Sequence, residues 1–171
     1  DDWEGLGPES LVNNGLNCTR GAATFALAKL LFADSRRLAV LSAACDRVAA
    51  DPHPAVRAAA FDCCLALLDS DPERAIALAV RAAEGHEALL ACSRFDRFLR
   101  FAARLGSSTI EATLQRMLGS SREDVVRVAA QHVVALYLRD GRMDQVALAC
   151  LRGSAPERLG TAQMAAVFAG S

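Results

Sequence analysis

Aromatic side chains are scarce in this sequence, with one Trp, one Tyr and seven Phe among 171 residues. A core must therefore be assembled mainly from Ala, Leu and Val, and small side chains of this kind let helices approach closely. Lysine is scarcer still: Lys29 stands alone. No Gly-rich loop ends in Lys-Ser/Thr, which excludes a phosphate-cradling NTPase loop from this segment. The six cysteines, Cys18, Cys45, Cys63, Cys64, Cys92 and Cys150, form no C-x-x-C pair, and no two histidines sit at metal-ligand spacing. There is no signal peptide and no apolar run long enough to span a bilayer. Alternating strand patterns are absent, and Asn14-Gly15 lacks the flanking strands that a hairpin turn would need. With a net charge of -1, no long-range field draws the chain to nucleic acid or to anionic lipid. The chain does not begin with Met and closes soon after opening a new helix. Both features predict a segment cut from a longer polypeptide, and the cysteines, read as reduced, predict a cytoplasmic one.

What is abundant is apolar surface, 53 % of residues, punctuated at regular intervals. Asp51-Pro52-His53-Pro54-Ala55-Val56-Arg57 reads as a turn and a helix start carrying an arginine beside small residues. Related phrases occur at Cys18-Thr19-Arg20-Gly21-Ala22-Ala23 and at Val125-Val126-Arg127-Val128-Ala129-Ala130. A phrase that returns at about the length of a helix pair signals stacked repeats.

Residues 1–15 hold Gly, Pro, Asn and acids without periodicity, and they predict a poorly ordered lead-in with Trp3 docked on the first helix. From 16 to 171 the pattern predicts one repeat domain of four helix pairs and one unpaired helix. Asn17 caps the first helix, whose inward positions are Ala23, Leu27, Leu30 and Leu31. Asp34 or Ser35 caps the second, with Leu38, Leu41, Cys45 and Val48 in one stripe. The third runs from the Pro-bounded turn to Leu68, with Val56, Ala60, Cys63, Cys64 and Leu67 inward. Asp71-Pro72-Glu73 opens the fourth, which Gly85 ends. After a blurred stretch, Ser93 caps a helix carrying Phe95, Phe98, Leu99, Ala102 and Leu105. Ser108-x-x-Glu111, Ser120-x-x-Glu123 and Ser154-x-x-Glu157 read as capping boxes for three of the remaining helices. The first two of these helices turn Ile110, Leu114 and Met117, then Val126, Ala129, Val133, Leu136 and Tyr137, inward.

Asp51-Pro52-x-Pro54-x-Val56-Arg57 resembles the opening of a HEAT repeat. The unit at Val126-Arg127 keeps the Val-Arg and lacks the Asp-Pro. Asn17-x-x-Arg20-Gly21-x-Ala23 is similar to a phrase in helical-repeat regions of large bacterial proteins, which often carry an NTPase domain and act in defence or signalling. The resemblance implies an all-α fold, a right-handed α-α superhelix (solenoid) of HEAT-like antiparallel helix pairs. It also implies that the second helix of each pair lines the concave face.

Three sets of arginines follow. Arg20, Arg57 and Arg127 sit early in the first helix of a pair, where a stem packs between units and the guanidinium bonds nearby carboxylates or carbonyls. With Asp51 and Pro52 these are structural repeat residues, and Asp51, Asp71 and Asp124 are the candidate acid partners. Arg47, Arg81, Arg116 and Arg152 lie near the ends of the second helices, their numbers rising by 34, 35 and 36. One guanidinium per repeat at an equivalent place makes a candidate partner-binding ladder suited to phosphate, carboxylate or an acidic peptide. A cation near a helix C-terminus is also favourable against the dipole without any ligand. Arg94, Arg97, Arg100 and Arg104 form a candidate basic stripe on one helix, opposite Phe95, Phe98 and Leu99. It reads either as a solvated face or as a nucleic-acid contact.

No catalytic, cofactor or metal residue is expected. His53, His86 and His132 cannot be paired by spacing with a nucleophile and an acid, and the cysteines read as reduced core residues, Cys63-Cys64 included. The expected function is a non-catalytic interaction scaffold, or a regulatory or sensor arm of a larger protein with an NTPase domain, binding a protein or peptide partner. One alternative is a HEAT-like DNA-binding protein or DNA glycosylase, disfavoured by the neutral charge and few aromatics. The other is a purely structural spacer.

Overall fold

The computed structural model describes residues 5–170. Among them are ten α-helices and no strand: α1 Pro8–Asn17, α2 Thr19–Ala33, α3 Leu38–Ala49, α4 Pro54–Leu67, α5 Pro72–Ala83, α6 Ser93–Ala102, α7 Ser108–Leu118, α8 Glu123–Asp140, α9 Asp144–Cys150 and α10 Ala155–Ala169. Short 3-10 turns stand at Ser35–Arg37, Glu87–Ala91 and Ala103–Leu105. The chain divides into two compact units, with the boundary between Ala102 and Ala103.

In the first unit α4 is the central helix, packed by α1, α2, α3, α5 and α6. Its sequence, PAVRAAAFDCCLAL, buries Val56, Ala58, Ala59, Ala60, Phe61, Cys63, Cys64 and Leu67, so it is apolar on nearly every side. A helix of that kind is stable only when surrounded. Alanine on several faces allows the neighbours to come close, and Phe61 fills the remaining space by packing 4.9 Å, centroid to centroid, from Phe95 of α6. The turn before α4 is built as its prolines require. Asp51 Oδ1 accepts from His53 N–H, and His53 Nδ1 accepts from Ala55 N–H as the cap. Asp71 caps α5 by accepting from Arg74 N–H at 3.2 Å.

For residues 8–15 the expected poorly ordered lead-in is corrected. Gly7 and Pro8 open α1, which buries Leu11, Val12 and Gly15 on α4 and α2. Asn13, Asn14 and Gly15 are poor helix formers, and burial of the neighbouring apolar pair outweighs that preference. Trp3 lies outside the described residues. Because α1 runs through Asn17, this residue is no cap: its side chain donates to Asn13 O. Cys18 caps α2 instead, its Sγ accepting from Gly21 N–H at 3.3 Å. The α1–α2 corner is tight, since a Cβ on Gly21 would come within 1.9 Å of Gly15 O.

Three inward assignments also fail. On α2 Ala23 is exposed and Leu30 is 44 % exposed, and Thr24 and Ala28 take the buried positions beside Leu27 and Leu31. Leu105 is exposed because the chain has left α6 for a 3-10 turn before Gly106, at φ +72°.

In the second unit α8 is central, flanked by α7, α9 and α10. Val126, Ala129, Val133 and Leu136 are buried, as are Ile110, Leu114 and Met117 of α7. Against α10 the approach depends on Gly160, where an added Cβ would meet Arg127 O at 2.4 Å. Of the three expected capping boxes only Ser154–Glu157 forms, with Ser154 N–H and hydroxyl both 2.6 Å from Glu157 Oε2. Ser108 already lies inside α7, and Glu111 turns to Arg142. Ser120 accepts from Arg122 N–H and stands two residues ahead of Arg122, which holds the cap position of α8.

Candidate interaction surface

Five of the polar contacts that tie elements together span 31 or 32 residues. Arg20 of α2 reaches Asp51 before α4 at 3.1 Å, 31 residues on. Arg94 of α6 pairs with Asp62 of α4, 32 residues back, and lies 4.3 Å over the Phe25 ring. Arg74 bonds Asp46 at 2.9 Å and the Ser42 hydroxyl at 2.7 Å. In the second unit Arg142 pairs with Glu111, 31 residues away, and donates to Ala103 O, while Gln131 of α8 bonds Gln163 of α10, 32 residues away.

Among the repeat arginines, Arg57 is half-buried and donates to Glu84 O at 2.5 Å. Burial lowers its pKa from the ordinary guanidinium range, opposed by the charges of Asp51 and Glu84. Arg127 borders a cleft of about 400 Å³ with Glu123, Asp124, Pro156 and Leu159. Asp124 pairs with Arg122, and Asp71 serves as a cap.

Arg47, Arg81 and Arg116 occupy the last turns of α3, α5 and α7, and Arg152 follows α9. All four are exposed. The first two belong to the first unit and the others to the second. Arg47 lies on an open groove of about 540 Å³ formed by α2, α3 and the start of α4, floored by Ala23, Leu27, Leu30, Ala44 and Val48.

The proposed basic stripe is divided by its partners. Arg94 is turned to Asp62, and Arg100 pairs with Asp96 at 2.5 Å. Arg104 falls in the 3-10 turn beyond α6. Arg97 is exposed and borders a second groove, of about 460 Å³, with Leu16, Phe25, Lys29, Phe32, Asp62 and Arg94. Sequence reasoning missed this groove. Its signal was the spacing Phe25, Lys29 and Phe32, one face of α2 at steps of four and three.

The nucleophilic groups are turned inward. Burial pushes the Cys63 and Cys64 thiols well up, and Cys92 up to about 12. Cys63 Sγ donates to Thr24 O at 3.6 Å. The Asp62 carboxyl is also pushed up by burial, against the pull of Arg94 and Arg97.

The chain is thus an all-α protein of two helical units whose open grooves are lined by apolar side chains and bordered by arginine. No family model, curated protein or solved structure matches it. No helix among the described residues is long and apolar enough to cross a membrane.

Proposed function

We propose that the chain is a non-catalytic protein-interaction scaffold, a HEAT-like right-handed superhelix of antiparallel helix pairs within a larger bacterial protein. The observation that carries the reading is the open groove of α2 and α3. Its floor is apolar, Leu30 stands 44 % exposed within it, and Arg47 lies beside it with no carboxylate bound among the described residues. Exposed apolar side chains gathered in a concavity and bordered by a cation suit recognition of another polypeptide. The repeat arrangement draws support from inter-element bonds that recur at a separation close to one helix pair. It draws further support from the way α2, α4 and α6 pack in series in one unit, as α8 and α10 do in the other.

Two measurements test this. A closed globule of this length has a radius of gyration of about 16 Å, and solution scattering is expected to give a clearly larger value. Photo-cross-linkers placed at Arg47, Arg81, Arg116 and Arg152 of the full-length protein in cells should capture the same polypeptide at two or more positions. A compact scattering profile would sink the superhelix, and four positions without adducts would sink the scaffold.

A further inference from the structure

The geometry points to the groove bounded by α2, α4 and α6 as a docking site for an acidic amphipathic helix of a protein partner. This rests on the scaffold reading and names one surface and its ligand chemistry. Three cations border the groove, Lys29, Arg94 and Arg97, against one carboxylate, Asp62. Arg94 is bound to Asp62 and held over Phe25. Lys29 and Arg97 are exposed and bind no carboxylate among the described residues, so the groove carries two uncompensated positive charges.

Between these charges the lining is apolar. Leu16 at the end of α1 is 50 % exposed and Phe32 of α2 is 55 % exposed, with Phe25 and Ala28 beneath. Apolar side chains flanked by uncompensated cations are complementary to a helix with Leu or Phe on one face and Glu or Asp along its edge. The same unit already seats one such element. Helix α1 buries Leu11 and Val12 against α4 and points Glu9 at Ser93, where the carboxylate accepts from the Ser93 N–H at 2.9 Å and the hydroxyl at 3.0 Å. The groove begins where α1 ends, at Leu16.

The probe is a labelled peptide of about 16 residues with Leu at helical spacing and Glu beside it, titrated against the purified chain by fluorescence anisotropy. Saturable binding is expected that weakens at least about tenfold in K29E/R97E and in F32S, and weakens with rising salt. It should be unchanged in R36E/R139E, which alters net charge equally elsewhere. Circular dichroism confirms that each variant is folded, since Lys29, Phe32 and Arg97 are all exposed. No saturable binding by the wild type, equal binding by K29E/R97E, or tighter binding of a single-stranded thymidine oligonucleotide at the same site would each overturn the assignment. If the groove fails while cross-links at Arg47 and Arg81 persist, the scaffold reading survives without this site.

Discussion

Glu9 caps a helix that begins 84 residues later: its two carboxylate oxygens accept from the backbone N–H and the hydroxyl of Ser93. The first turn of any α-helix leaves backbone N–H groups without intrahelical partners, and a carboxylate there also meets the positive end of the dipole. A tertiary contact thus joins the Cys92 thiol, which meets the backbone N–H groups of Phe95 and Arg94, where Ser93 was expected to cap alone. Glu9→Ala should lower stability by about 1 kcal/mol, read as a shift in the urea midpoint at unchanged m-value. Ser93→Ala should cost less, because the N–H bond is kept. Equal midpoints for wild type and E9A would show the contact to be idle.

The corner between α1 and α2 admits no side chain at Gly21. A Cβ there would sit 1.9 Å from Gly15 O, and one on Gly15 would sit 2.5 Å from Ala55 O. Both obstacles are backbone, so relief requires moving a helix. Gly21→Ala is therefore expected to destabilise by about 2 kcal/mol or more, at the upper part of the range for overpacked sites. Helix propensity alone would favour Ala by roughly 1 kcal/mol. The sign of the change in thermal midpoint decides between packing and propensity.

These two sites explain what the sequence could and could not reveal. The helices of the Asp51–Gly85 stretch were legible because their signals are local: Asp71 before Pro72 makes its cap within the next turn, and Gly85 takes positive φ just past the helix end. The Ser154–Glu157 box is local in the same way. Helix α1 was not legible, since Asn13, Asn14 and Gly15 argue against a helix until α4 buries their neighbours. The Ser108 and Ser120 boxes satisfied a spacing rule, yet Glu111 finds a stronger partner in Arg142, 31 residues away. The arginine positions were readable and their engagement was not. Arg94 and Arg97 are three residues apart, and only the packing of α4 beneath α6 gives Asp62 to one and leaves the other at the groove edge.

Arg94 and Asp62 join α6 to α4 with side chains only 21 % and 14 % exposed, so neither charge can fall back on full hydration. Removing one partner strands the other. A double-mutant cycle with R94A and D62A should give a coupling of about 1–2 kcal/mol, with each single variant costing more than the double variant's excess over it. The adjacent pair Arg36 and Asp34, whose arginine side chain is 89 % exposed, should show no measurable coupling in the same assay. Equal couplings for the two pairs would mean that burial does not set the strength of the α4–α6 bond.

The buried thiols set the behaviour in alkali. Cys63, Cys64 and Cys92 are at most 1 % exposed, and desolvation holds all three protonated well above the ordinary thiol value of 9.0. In the unfolded chain they ionise near that ordinary value. Between the two values the native state binds more protons than the unfolded state, so stability falls as pH rises. The loss begins near pH 9 and continues through about 12 for Cys92. Each such thiol contributes a slope of at most about 1.4 kcal/mol per pH unit. Cys64→Ala should flatten the decline of urea-derived stability above pH 9, while also lowering stability at pH 7 through the small cavity it leaves. The same burial predicts that an aromatic disulfide reagent at pH 8 rapidly titrates only Cys18, the one cysteine that is not buried, and all six once the chain is unfolded. Rapid native-state reaction of Cys63 or Cys64, or an alkaline slope unaltered in C64A, would contradict this account of the core.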